Sequence, residues 1–451
     1  MQGSALSSRG YNVLKTDLSN DEITAIKNEL SVVPFVPGGP NGYRQQQVAP
    51  NKLYMESDTR IYVPKCYGLT KWGPPTQNKL SPGKEVNLTF CGNLREEQEP
   101  AVSSLLAACH SPRTMGGVLN VFCGGGKTTM ALYVAVKLAR KTLIVVHKDF
   151  LLEQWKERIQ QFIPGARIGS IKAKVIDCID KDIVIASLQS LSMKEYDSAI
   201  FTEFGTVIVD EVHHTSAEVF SKALKKISFV YTIGLSATIQ RKDGLAKVFL
   251  WYLGPIAFKA TKRQDDVNVK IVQYFDNTTS YCEVPFIGSK PNVARMINNV
   301  CAHAPRDQVI MQLLRNLLKD EPSRRILVLS DRRAHLYTLM SMVDDTITKG
   351  IYVGGMKPET LNQERQVMFA TFAIASEGYD QPGLDTLVLA SPRSDVTQSV
   401  GRILRDKACD RRNMPLVIDI VDMFSLFVNQ GNKRKAFYKS CGYNIATGTN
   451  S

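Results

Sequence analysis

Gly124-Gly125-Gly126-Lys127-Thr128-Thr129 follows the apolar run Val118-Leu119-Asn120-Val121-Phe122 and leads into Met130-Ala131-Leu132-Tyr133-Val134-Ala135. A buried strand, a glycine loop and a helix in that order make a phosphate cradle. The glycines let successive backbone N–H groups curl toward one centre, and the helix N-terminus adds the positive end of its dipole. Lys127 then reaches the β- and γ-phosphates of a nucleoside triphosphate and the Thr128 hydroxyl holds Mg²⁺, with Gly124, Gly125, Gly126 and Thr129 lining the phosphates. A second stretch, Asp210-Glu211-Val212-His213, ends the apolar run Thr206-Val207-Ile208-Val209, which has the composition of a strand buried in a parallel sheet. Asp210 completes the metal site, and Glu211 orients or deprotonates the attacking water. Either stretch alone is a weak signal. The pair, in this order and each after an apolar strand, points to an NTPase.

The pattern around both stretches alternates strands with helices. Strand candidates are 118–122, 142–146, 182–186, 206–209 and 231–235, with helical runs between them such as Leu151 to Ile159. This predicts an α/β domain over 91–260, a parallel sheet covered on both faces. A second α/β pattern without a phosphate loop runs over 306–440, with strands at 325–330, 350–353, 386–390 and 416–420. Residues 261–305 read as polar and turn-rich with weak strands, a connector or the irregular start of the next domain, and 441–451 as a loose tail. Residues 1–90, with their prolines and short β-like pieces such as Arg60-Ile61-Tyr62-Val63, read as a small α+β accessory domain. An early helix is expected from Asp21 to Leu30, capped by Asn20 or Asp21.

With 451 residues the chain has room for two or three domains, and 44% hydrophobic with 22% charged residues is ordinary for a globular protein. A net charge of +13 favours a polyanionic partner, nucleic acid before anionic membrane; a basic surface kept for solubility is the plain alternative. The nine cysteines include no C-x-x-C pair, and Cys301-Ala302-His303 lacks the second pair a metal cluster needs. Buried thiols in a reducing compartment are expected. No apolar run approaches the roughly 18 residues of a membrane span, and Met1 to Gly10 is polar. The expectation is a soluble intracellular protein with no membrane partner.

An ordered series of further segments resembles the superfamily 2 helicases and translocases, which have tandem RecA-like domains. Leu94-Arg95-Glu96-Glu97-Gln98 resembles their adenine-reading element, Val145-Val146-His147-Lys148 and Ser187-Leu188-Gln189-Ser190-Leu191 their strand-gripping motifs, and Gly234-Leu235-Ser236-Ala237-Thr238 the segment that links hydrolysis to domain movement. Ala375-Ser376-Glu377-Gly378-Tyr379-Asp380 resembles motif V, and Gln398-Ser399-Val400-Gly401-Arg402-Ile403-Leu404-Arg405 resembles motif VI. Asp-Glu-Val-His in place of Asp-Glu-Ala-Asp, and a motif VI beginning with Gln, resemble the DNA-directed XPB-like and UvsW-like members. Ile61-Tyr62-Val63-Pro64-Lys65-Cys66-Tyr67-Gly68 is similar to a segment of helicases from large cytoplasmic DNA viruses, including the poxviral transcript-release helicase. Val121 replaces the first glycine of the general phosphate-loop pattern, as is common in the superfamily.

The resemblance implies ATP and Mg²⁺ as cofactors. Arg95, Gln98, Gly378 and Asp380 would join the phosphate loop in holding ATP, and a side-chain amide such as that of Gln98 can pair bidentately with adenine. Arg402 and Arg405 would stabilise charge on the transferred phosphoryl group, and their spacing of three puts both on one helix face. Gln398, one turn earlier, would order the attacking water. His213, Ser236, Ala237 and Thr238 would couple hydrolysis to movement. Lys148, Gln189, Arg241, Arg332 and the backbone at Gly355 would contact nucleic-acid phosphates, which gives sequence-independent, salt-sensitive binding. Trp155 reads as a core helix residue, and Lys433-Arg434-Lys435 as either an extension of the nucleic-acid track or a solvated charge run.

The reading that follows is an ATP-driven DNA helicase or translocase, acting on duplex or single-stranded DNA. Its context would be transcription termination or transcript release in a large DNA virus, with a viral RNA polymerase as partner and the virion or host cytoplasm as location; the nucleus is the alternative. Repair or recombination, an RNA-directed helicase, and a non-enzymatic clamp switched by ATP are the rivals.

Overall fold

The computed structural model describes residues 3–33, 50–122, 124–211, 216–227, 229–237, 245–260, 266–285, 291–354, 356, 365–377, 381, 383–404 and 411–449. Cys123, His213, Thr238, Arg241, Gly355, Gly378, Asp380 and Arg405 lie outside the described residues. Two compact units are present, Met1–Thr261 and Lys262–Ser451.

The first unit is built on an eight-stranded sheet in the order Val175–Asp177, Ile168–Lys172, Ile183–Ser187, Thr142–Val146, Thr206–Val209, Tyr231–Ser236, Gly116–Asn120, Ile256–Lys259. All pairings are parallel except that of the first two strands. Along each central strand successive side chains point to opposite faces, and both faces are dry. Val118, Leu143 and Val207 enter one core; their neighbours Leu119, Ile144 and Ile208 enter the other. Helices Glu99–His110, Lys127–Leu138 and Asp149–Phe162 cover the second core. This is why the strands read as continuous apolar runs rather than as alternation.

Residues 3–33 and 50–78 carry a five-stranded sheet in the order Met55–Glu56, Arg60–Val63, Gly10–Leu14, Ala5–Ser7, Gln77–Asn78, with helices Asn20–Glu29 and Lys65–Trp72. The first helix is capped one residue earlier than the sequence suggests. Ser19 Oγ accepts the Glu22 N–H and the Glu22 carboxylate accepts the Ser19 N–H, a reciprocal capping box. These elements share a core with the large sheet: Leu6, Tyr11 and Val13 belong to the same cluster as Val118 and Val207. Lys65, buried in that seam, donates to the carbonyls of Met115, Phe229 and Val230 at 2.9–3.1 Å. A lysine in such a place ties together three carbonyls from two segments of the chain, and they in turn satisfy its buried ammonium group.

Gly68 shows how tightly the seam is packed. Alanine is favoured over glycine in a helix by about 1 kcal/mol, but a Cβ here would stand 2.2 Å from Tyr11 Cγ. Tyr11 is fully buried and stacked on Trp72 at 5.6 Å. Overpacking of this kind costs about 1–3 kcal/mol. Gly68→Ala is therefore expected to lower the thermal midpoint by a few degrees; a raised midpoint would mean that the ring gives way.

The second unit carries a seven-stranded, wholly parallel sheet in the order Lys349–Tyr352, Val367–Thr371, Ile326–Ser330, Thr386–Leu389, Leu416–Asp422, Asn268–Tyr274, Asn444–Thr449. One expectation is corrected. Residues 444–449, placed in a loose tail, form the edge strand beside 268–274, which is an interior strand within the segment read as a connector or the start of the next domain. Polar residues interrupt both, Asn268, Lys270 and Gln273 in the first and Asn444, Thr447 and Thr449 in the second, and the edge strand is mostly exposed.

The strand Leu416–Asp422 also runs past the expected end at Ile420, since its two aspartates are buried and paired. Arg306 chelates Asp422 with Nε and Nη2 at 2.6 and 3.1 Å. Arg434 binds Asp419 at 2.8–3.0 Å. Arg434 thus faces the core, at 2% exposure, and is not part of a surface basic run.

Candidate active site

In the first unit the strand before the phosphate loop, Gly116–Asn120, and the strand before Asp210, Thr206–Val209, both flank Tyr231–Ser236. Because the three are parallel, their C-terminal ends lie on one edge of the sheet, where α/β proteins bind ligands. Residues far apart in sequence meet there. The Val121 N–H donates to the Ser236 carbonyl at 3.0 Å, so the Ser-Ala segment is hydrogen-bonded to the base of the phosphate loop. Ser236 is fully buried at this junction.

The loop has the backbone a phosphate cradle needs. Gly124 and Gly126 take φ of +83° and +81°, a region open to glycine at no steric cost. Gly126 precedes the helix Lys127–Leu138, so Lys127, Thr128 and Thr129 are its first turn. Gln98 is buried against the loop. Its Nε2 donates to the Gly125 carbonyl at 3.1 Å and its Oε1 accepts the Arg95 N–H at 3.0 Å. Arg95 Nη2 donates to the Gly124 carbonyl at 3.3 Å. A Cβ at Gly126 would meet Gln98 Nε2 at 2.1 Å and push the amide off the loop, a cost added to that of the positive φ. The Gln98 amide is thus committed to the loop, and pairing with adenine would exchange these bonds.

Lys127 Nζ donates to the Val121 carbonyl at 3.2 Å and lies 3.5 Å from Glu211 Oε1. Glu211 itself has φ of +46°, a left-handed conformation that a glutamate adopts only where its surroundings impose it. Asp210 is buried. Its Oδ1 accepts the Glu211 N–H and its Oδ2 accepts the Trp155 indole N–H, each at 2.9 Å. A buried carboxylate beside a second carboxylate, a lysine and a glycine-lined helix N-terminus is a donor set suited to Mg²⁺ and a triphosphate. Thr128 and Asp210 would hold the metal, and Lys127 with the loop amides would hold the phosphates. The metal's chemistry, when bound, is to neutralise charge on the β- and γ-oxygens.

Burial, and secondarily the Glu211 charge, push the Asp210 carboxyl up from 3.8 to about 6, against the pull of the Trp155 N–H, Lys127 and the Glu211 N–H. Because the folded value exceeds the unfolded one, the native chain holds the extra proton between them. The group's contribution to stability is full below about 4 and is lost as pH rises through about 6. Asp210→Asn cannot ionise. Its amide leaves one of the two N–H donors without an acceptor, so the expected effect lies in the pH dependence: in EDTA the variant gains roughly 1–3 kcal/mol relative to the wild type between pH about 4.5 and about 7.5. Melting curves that differ equally at both pH values would refute this electrostatic account.

The remaining expected positions fall as follows. Lys148 is the N-cap of Asp149–Phe162, and Gln189 Nε2 donates to the His147 carbonyl, which joins the two loops expected to grip nucleic acid. In the second unit Arg332 donates to Asn298 Oδ1 and to the Ala294 carbonyl, tying it to the helix Val293–Cys301. Gln398 lies in the helix Thr397–Val400, and Arg402 in the following 3₁₀ turn, Gly401–Leu404. Arg402 is buried, with Nε donating to the Ala375 carbonyl at 2.5 Å; this bond connects the motif V and motif VI segments. The role of Trp155 went beyond the sequence reading. A tryptophan on the buried stripe of a helix needs a partner for its N–H, and that requirement was the available signal.

Two parallel α/β units, one with a phosphate loop followed by an acidic pair on a neighbouring strand, define a RecA-like helicase core. Comparison with known proteins agrees. Residues 92–241 match the family model described as type III restriction enzyme, res subunit. A protein of Acanthamoeba polyphaga mimivirus, provisionally named an ATP-dependent RNA helicase, is 34% identical, over 97% of this chain and 85% of its own length. A protein of Invertebrate iridescent virus 6, provisionally named a helicase, is 28% identical over 82% of this chain and 85% of its own. Among solved structures, S. cerevisiae Dbp5 bound to RNA and ADP BeF3 aligns with a TM-score of 0.50 at 11% identity, covering 74% of this chain and 86% of that one, a likeness of fold. The chain belongs to the superfamily 2 helicases of large DNA viruses, a family of ATP-dependent helicases.

Proposed function

We propose that the chain is an ATP-driven DNA helicase or translocase that acts in transcription termination or transcript release of a large DNA virus. The observation that carries the motor reading is the meeting of Lys127, Asp210, Glu211 and Ser236 at one sheet edge, where ATP chemistry and a movement-coupling strand share hydrogen bonds. ATP binds with Mg²⁺ on Thr128 and Asp210; Glu211 aligns the attacking water. Arg402 and Arg405 supply positive charge to the transferred group, and Gln398 helps order the water. The choice of DNA rests on the motif VI pattern Gln398-Ser399-Val400-Gly401-Arg402-Ile403-Leu404-Arg405. Lys148, Gln189, Arg241 and Arg332 then contact phosphates, without base readout. The net charge of +13 suits this partner. Such a protein works in the virion or the host cytoplasm, beside a viral RNA polymerase.

The name carried by the mimivirus relative favours RNA as a second reading. ATPase assays with duplex DNA, single-stranded DNA and RNA as stimulators separate the two. DNA is expected to stimulate turnover, and the logarithm of its apparent affinity to fall linearly with the logarithm of salt concentration. Stimulation by RNA alone would overturn the DNA assignment. Release of transcripts from stalled elongation complexes, lost on substitution of Lys127, tests the transcriptional role.

A further inference from the structure

Trp155 occupies the middle of the helix Asp149–Phe162, on the face that packs into the core beneath the sheet. It is 2% exposed, surrounded by aliphatic side chains such as Leu151, Leu152 and Ile159. An indole in such a place carries a cost that phenylalanine or leucine avoids: a buried N–H without an acceptor loses about 1–3 kcal/mol. Here the acceptor is Asp210 Oδ2 at 2.9 Å. Asp210 Oδ1 accepts the Glu211 backbone N–H, also at 2.9 Å. The two bonds pin both oxygens, so the carboxylate has one orientation, and what each oxygen has left to offer is its remaining lone pair.

We propose that Trp155 is a positioning residue that holds the Asp210 carboxylate ready for the divalent cation. The proposal rests on the reading of Asp210 as the metal carboxylate. Its chemistry is that of an outer hydrogen bond on a metal ligand, which fixes the ligand's orientation before the ion arrives; loss of such a partner typically weakens metal affinity about 10–100-fold. The same helix begins directly after Lys148. Seven residues of α-helix span about 10 Å, so one rigid element joins a loop expected to touch nucleic-acid phosphate to the carboxylate that holds the metal.

The test uses the full chain and Mn²⁺ as probe, with free Mn²⁺ read by electron paramagnetic resonance in the presence of ADP. Trp155→Phe keeps the ring volume and removes the N–H. It is expected to weaken Mn²⁺ binding by about tenfold or more, while ADP binding in EDTA changes less than about twofold. Asp210→Asn serves as the reference. If Asp210→Asn weakens Mn²⁺ binding and a folded Trp155→Phe does not, the positioning role is overturned while the metal reading stands. If Asp210→Asn itself leaves Mn²⁺ binding unchanged, the metal reading falls and the proposal with it.

Should Trp155→Phe fail to fold, the wild-type chain labelled with ¹⁵N-tryptophan answers instead. The chain has three tryptophans, so Trp72→Phe and Trp251→Phe spectra assign the Trp155 indole resonance by elimination. That resonance is expected to shift when Mg²⁺ is added to the ADP-bound protein; a resonance indifferent to Mg²⁺ overturns the proposal.

Discussion

Glu211→Gln is expected to lower the ATPase turnover number by about 10²–10⁴ while ATP and nucleic acid remain bound. The substitution keeps the shape of the side chain and removes one negative charge. That charge now lies 3.5 Å from Lys127 Nζ and raises the neighbouring Asp210 carboxyl. Its removal leaves Lys127 more available to phosphate and Asp210 more readily ionised. Binding of Mg·ATP is therefore expected to be unchanged or tighter, and only the step that needs an oriented water to suffer. Single-turnover hydrolysis and equilibrium binding of a fluorescent ATP analogue read the two effects separately. Undiminished hydrolysis would remove Glu211 from the chemistry and favour a clamp that uses ATP as a switch.

Arg402→Ala is expected to cost about 10³–10⁵ in turnover, the range found for an arginine that stabilises charge on a transferred phosphoryl group. The structure adds a second consequence. Arg402 is buried and its Nε bonds the Ala375 carbonyl at 2.5 Å. Truncation leaves that carbonyl without this donor and loosens the joint between the helix Phe372–Glu377 and the turn Gly401–Leu404. Arg402→Lys restores a charge but not the planar fork, and is expected to recover stability more than turnover. Thermal unfolding together with turnover separates these contributions. A lysine variant with wild-type turnover would show that a bare charge suffices and that the guanidinium geometry is immaterial.

Much of the nucleotide-binding unit was legible in the sequence because its determinants are local. Five of the eight strands in its sheet were placed to within two residues, since strands buried on both faces leave uninterrupted apolar runs. The second sheet was read less well for the opposite reason. Asn268–Tyr274 and Asn444–Thr449 are interrupted by polar side chains and leave no continuous apolar run, and little local separates such a segment from a connector. The sequence pattern ends the strand Leu416–Asp422 at Ile420, short of the buried Asp422, because the arginine that makes that burial tolerable, Arg306, comes from another helix. Lys433-Arg434-Lys435 misled in the same way: the three charges look alike until Asp419 singles out the middle one.

The phosphate loop shows where the division falls. Residue types and spacing alone fixed a glycine turn with positive φ, a helix opening at Lys127, and an acidic pair after a buried strand, because backbone sterics and apolar periodicity act over a few residues. Tertiary structure alone decided what these pieces touch. The strand order places Tyr231–Ser236 between the loop and Asp210, hydrogen-bonds Ser236 to Val121, turns Gln98 onto Gly125, and brings the Trp155 indole to the Asp210 carboxylate. Those pairings cross the sheet between segments with no shared local signal. They are set by which buried polar group lies near enough to satisfy another, a requirement that exists only once the core has closed and water is gone.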